Sequence, residues 1–178
     1  MEWDASPELV ARIAATLQRP RLDKPLRQVL AEDFPRQCGD LPIEGGWGFS
    51  QDEAIKFIQK ADPLGVPFDY VNIEYLIVEK LLYEELIIFR PKTHAFSGIE
   101  HKLKSQSVIN KNVKMYDLLL FDVMCWTDWH WERLKAEWID NEFGERTDFD
   151  KNEHFRKRNE SMVRFERDYW FEISAISA

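Results

Sequence analysis

From Val163 to Ile173 the side chains alternate in character along the chain. Val163, Phe165, Tyr169, Phe171 and Ile173 fall on one side, with Arg167 the one exception, and Arg164, Glu166, Asp168, Trp170 and Glu172 fall on the other. Only an extended chain sends successive side chains to opposite faces. Such a strand carries backbone donors and acceptors along both edges, and these need partner strands. The segment therefore commits the chain to a sheet with one buried face and one wet face, and to other elements that cover the buried one.

Helical signals dominate the first half. Ser6-Pro7-Glu8 supplies a cap, a first-turn proline and an acid for the helix dipole, and Leu9, Val10, Ile13 and Leu17 follow at helical spacing. A second short helix is expected over 25–32. Ser50-Gln51-Asp52-Glu53 reads as a capping box opening a helix to about Lys60. The apolar run from Val71 to Phe89 predicts a helix to about Glu84 that passes into extended chain at Leu86 to Phe89, with Arg90-Pro91 as its stop. Phe96 to Ile109 and Val113 to Cys125 flank Asn110-Lys111-Asn112 and read as a β-hairpin, its second strand apolar on both faces and therefore central. Thr127 or Asp128 caps a helix to about Asn141, and a charged helix spans about Asp150 to Ser161. The expectation is an α+β fold: a mainly antiparallel sheet packed with several helices in one layered domain over residues 1–178, helical over 1–60 and mixed over 61–178.

Composition bounds the function. Hydrophobic residues make up 44% and aromatics 13%, enough apolar side chain to offset the entropy of ordering the chain. The net charge of −8 argues against a phosphate-neutralising surface; it suits basic protein partners, and the alternative is that it only keeps the chain in solution. Two distant cysteines, Cys38 and Cys125, form no disulfide framework. The first residues lack the basic and apolar blocks of a signal peptide, and charges interrupt the run 71–89, so neither export nor membrane insertion is expected and the compartment expected is the cytoplasm.

No hydrolytic triad or phosphate loop is present, and His94, His101, His130 and His154 make no metal-ligand spacing, so no catalytic residue, cofactor or metal is expected. Two features carry more. Between Asp128 and Asp150 eight acidic side chains face three basic ones. On the helix there, Trp131, Leu134 and Trp138 share a core-facing side, while Trp129 lies with Glu132, Arg133, Ala136 and Asp140. A tryptophan among charges on a wet face suits an interface anchor, and an acidic setting suits a basic partner; a neighbouring loop covering Trp129 is the alternative. Asp128, Trp129, Glu132, Asp140 and Glu142 are the candidate contacts, joined by Glu44 and Trp47 of the loop Glu44-Gly45-Gly46-Trp47-Gly48, whose glycines imply unusual backbone angles or close approach.

That loop, continued as Gly45-Gly46-Trp47-Gly48-Phe49-Ser50-Gln51-Asp52-Glu53-Ala54, and the stretch from Glu74 to Ile87 together resemble small bacterial immunity proteins. These are encoded beside secreted polymorphic toxins of contact-dependent or type VI secretion systems. The resemblance covers 45–89, with an echo in Tyr169-Trp170-Phe171-Glu172-Ile173. It implies a non-enzymatic inhibitor of one cognate toxin, such as a nuclease of restriction-endonuclease-like fold; neither nucleic acid nor membrane is expected as a partner, on the net charge and the interrupted apolar run. Two other readings remain open at this level. One is a small cytosolic enzyme with an acid/base pair around Glu79 and Glu84, near Tyr83. The other is an adaptor that self-associates through wet-face aromatics such as Trp170.

Overall fold

A computed structural model describes residues 2–177. Ser6 caps α1 (Pro7–Ala15) as its sequence demands, its hydroxyl accepting from the Leu9 amide, and Ile13 is buried. Helices α2 (Leu26–Asp33) and α3 (Pro35–Cys38) follow, the first burying Leu26, Val29 and Leu30. Strands β1 (Ile43–Gly45) and β2 (Ile55–Phe57) then pair antiparallel, Ile43 opposite Phe57.

The helix expected from Ser50 to Lys60 does not form, so residues 1–60 are not wholly helical. Ser50 is extended and its side chain makes no cap; one 3₁₀ turn at Gln51–Glu53 leads straight into β2. The preceding glycines explain this. The Gly48 amide takes the Glu53 carbonyl at 2.7 Å and the Gly46 amide takes that of Ala54 at 3.1 Å, so these acceptors are lost to a helix. Burial of Ile55 and Phe57 then favours the strand.

Helix α4 (Tyr70–Tyr83) lies where its apolar run predicts, but Leu86 to Phe89 is not extended. The chain widens into a π-helical turn over Glu84–Ile88, closed by the Phe89 amide on the Glu84 carbonyl at 2.8 Å. The turn buries Glu84, Glu85 and Leu86 together, which an alternating strand could not do.

Strands β3 (Phe96–Lys111) and β4 (Lys114–Thr127) form the expected hairpin, extended into the anticipated turn. The connection is Asn112-Val113, both with positive φ (51° and 67°), the twist-matched geometry of a two-residue hairpin loop. Next come α5 (Asp128–Asp140), capped by Thr127 Oγ1, and α6 (Lys151–Glu160), capped by Asp150. Strand β5 (Val163–Glu172) and a final turn of helix, α7 (Ser174–Ser177), complete the described chain. The sheet order is β1-β2-β5-β4-β3; β2 runs parallel to β5 and the sheet is otherwise mainly antiparallel. The fold is α+β.

The chain divides into two compact units. One comprises the residues up to Arg19, Glu84–His101 and Asp122–Phe165, with Ile13, Leu86, Phe96, Val123, Trp126, Leu134 and Val163 in its core. The other comprises Pro20–Tyr83, Lys102–Phe121 and the chain from Glu166 onward. Its core holds Leu30, Ile55, Ile77, Leu81 and Leu82, with Phe57 stacked on Phe171 and Phe121 edge-on to Tyr75 and Tyr169.

Candidate functional site

Five of the seven residues singled out by sequence, Asp128, Trp129, Glu132, Asp140 and Glu142, fall in the unit that contains α5. Asp128, Glu132, Arg133, Ala136 and Asp140 are exposed along one broad side of that helix, while His130 and Leu134 on the opposite side are buried. Thr127 aims the first turn by accepting from the His130 amide, and the His130 ring bridges Thr127 Oγ1 and the Asp4 carbonyl at 2.8 and 2.7 Å. Burial holds the pKa of that imidazole below its usual value.

Trp129 does not stand free. It is half-buried, with the Arg133 guanidinium 4.2 Å from its ring centroid, the His130 ring edge-on at 4.7 Å and Trp3 at 5.7 Å. The N-terminal segment thus supplies the cover that the sequence left as an alternative. With Asp128 and His94, Trp129 lines a cavity of about 360 Å³ to which Glu2 and Asp4 add acidic groups.

The acids of this region divide into engaged and free. Asp128 accepts from Ser97, Glu132 faces Lys135 at 3.4 Å, and Asp148 forks onto Arg146. Glu137 accepts from His154 Nδ1 and Lys157 Nζ, both at 2.8 Å; burial raises its pKa, but these two donors outweigh that and leave it below the usual value. Asp140, Glu142 and Glu145 are exposed and form no ion pair among the described residues.

Beside these acids lies a feature sequence reasoning missed. After α5 the chain turns through Glu142 and Phe143, both non-glycine residues at positive φ (54° and 57°), into Gly144 at 85°. A Cβ on Gly144 would sit 2.5 Å from the Trp138 ring, so the tryptophan presses on bare backbone. The Asn141 carbonyl accepts from the Gly144 and Arg146 amides, which ties the turn. Phe143 is left 64% exposed and Ile139, one turn earlier, 45% exposed. Gly144 was the one available signal, since glycine just past a helix suits left-handed backbone.

Trp131 and Trp138 were expected in the core. Leu134 is buried, but the two tryptophans are only half-buried and wall an open cleft of about 290 Å³. Phe155 and His154 of α6 complete its lining, and Lys135 and Arg158 bring positive charge to it.

Glu44 and Trp47 lie in the other unit. Glu44 is paired with Lys56 at 2.7 Å, and the Trp47 indole donates to the Lys24 carbonyl at 3.2 Å. The glycines there answer to packing: Cβ atoms on Gly45 and Gly46 would come within 2.6 and 2.4 Å of backbone carbonyl oxygens.

Of the alternative acid/base residues, Glu79 is paired with Lys80 at 2.7 Å, and Lys80 also lies over the Tyr83 ring. Glu84 is fully buried. Glu74 on α4 is also fully buried, and burial and the nearby Asp117 push its carboxyl up to about 8. Neither oxygen of Glu74 has a hydrogen-bond partner among the described residues, whereas Asp117 accepts from Gln106 at 2.5 Å. Cys38 and Cys125 are buried free thiols, the latter pushed up to about 12 by burial. Among the described residues no three His, Cys, Asp or Glu side chains gather as metal ligands, and no helix is long and apolar enough to cross a membrane. No family model, no curated protein and no solved structure matches the chain.

Proposed function

We propose that this protein is a stoichiometric inhibitor, an immunity protein that binds a basic toxin of the nuclease class and blocks it by charge and bulk. The observation that carries the reading is the exposed acidity at the end of α5 and on the turn after it. Asp140, Glu142 and Glu145 are exposed, form no ion pair among the described residues, with Arg146 the one cation on which Glu142 acts, and border the exposed Ile139 and Phe143. Exposed carboxylates at a helix end and on the tied turn after it attract a cationic surface from about 8 Å at physiological salt, and adjacent apolar groups supply the affinity that exposed ion pairs lack. The motif resemblance over 45–89 supports the same reading and supplies the partner class.

Growth rescue tests it. The product of the neighbouring reading frame, expressed alone, is expected to arrest growth, and co-expression of this chain is expected to restore it. A Glu132→Lys, Asp140→Lys double variant that keeps its fold is expected to lose the rescue. A harmless neighbour, or undiminished rescue by the variant, overturns the proposal.

A further inference from the structure

The turn after α5 and the cleft beside it are complementary to each other. The turn offers Phe143, 64% exposed, flanked by Glu142 and Glu145. The cleft is walled by Trp131, Trp138 and Phe155, has room at about 290 Å³ for one aromatic side chain, and carries Lys135 and Arg158. Lys135 is only loosely held within the chain, at 3.4 Å from Glu132, while Arg158 stands 3.5 Å from Glu100 and 4.9 Å over the Trp126 ring. Trp138 belongs to both features, backing Gly144 on the turn and lining the cleft. Phe143 therefore cannot reach around to fill the cleft of its own chain without dismantling the Gly144 contact that supports it.

We propose that the occupant is a second copy of this chain: two α5 helices pair antiparallel about a twofold axis, and each Phe143 enters the partner's cleft. A twofold pairing places the same patch on both sides, so neighbouring plug and socket satisfy each other reciprocally. Glu142 and Glu145 then meet Lys135 and Arg158 across the interface. The net charge of −8 opposes the approach of two copies, but that repulsion is screened beyond about 8 Å, whereas contacts within a desolvated interface are screened far less. The left-handed backbone at Glu142 and Phe143 keeps the phenyl group presented, so little ordering entropy is lost on docking. The inference goes beyond the inhibitor reading without resting on it; because both use the turn at Glu142, Phe143 and Glu145, the dimer is the partner-free state and a basic partner competes with the second copy for that turn.

Light scattering and sedimentation across a dilution series of the purified full chain test it. The expected mass rises from the 21.2 kDa monomer towards twice that value with concentration. Phe143→Gly is expected to raise the dimer dissociation constant at least about tenfold and, at a dilution where both proteins are monomeric, to raise the melting temperature, because glycine relieves the positive φ. A merely structural role for Phe143 would move the melting temperature down. Glu142→Lys and Lys135→Glu are each expected to weaken the dimer, and the two together to restore it. A mass of 21.2 kDa at every concentration, or a dimer indifferent to Phe143→Gly, overturns the proposal. Such a result leaves the growth-rescue test unaffected, and a failed rescue leaves the dimer unaffected.

Discussion

A carboxyl group sealed from water without a donor stays protonated, because the charged form loses its hydration and gains nothing in return. Glu74 is in that position, and its pKa lies near 8 in the fold against 4.5 in an open chain. The sign of the linkage follows. Below pH 4.5 both states carry the proton and the fold loses nothing; between 4.5 and about 8 the unfolded chain ionises while the folded one does not. Stability contributed by the neutral form is therefore lost as pH rises through that window, by up to about 1.4 kcal/mol per pH unit. Glu74→Gln is expected to flatten the decline and to raise stability at pH 8, measured by urea denaturation at several pH values; an unchanged pH profile contradicts this. The sequence shows Glu74 only as one acid in an apolar run. Its perturbation comes first from burial and then from Asp117, distant in sequence, and no local pattern shows either.

At the scale of elements, two loops carry testable strain. Val113 is β-branched, fully exposed and at φ 67°, where its Cβ crowds the following carbonyl. Val113→Gly is expected to stabilise the β3–β4 hairpin by about 1 kcal/mol, read as a rise of about 3 °C in melting temperature. Gly46 is the opposite case: a methyl group there meets the Glu53 carbonyl at 2.4 Å, so Gly46→Ala is expected to destabilise the protein by about 2–3 kcal/mol in urea. What the sequence showed of these elements follows from how local each signal is. The caps at Ser6, Thr127 and Asp150 and the alternation of β5 are set within a few residues and were legible. The capping box at Ser50 misled because distant pairing of β2 with β5 outweighs a local propensity. The run 71–89 gave no period, so the π-helical turn at its end had no local sign.

For the molecule as a whole, charge was the readable property and its placement was not. A net charge of −8 says that some surface is acidic; the structure puts exposed carboxylates without an ion pair among the described residues at Asp140, Glu142 and Glu145, while Glu44 is held by Lys56. The candidate site was thus half legible: the acidic α5 was, whereas the cover over Trp129 and the projection of Phe143 come from Trp3 and Trp138, partners the helix period does not reveal. The account's central claim is that this acidic helix and turn grip a cationic protein. The most direct test is a calorimetric titration of the chain with the purified product of the neighbouring gene at low and high salt. The account predicts saturable binding that weakens as salt rises and falls further with Glu132→Lys, Asp140→Lys. No heat of binding, or an affinity indifferent to both salt and charge reversal, contradicts it.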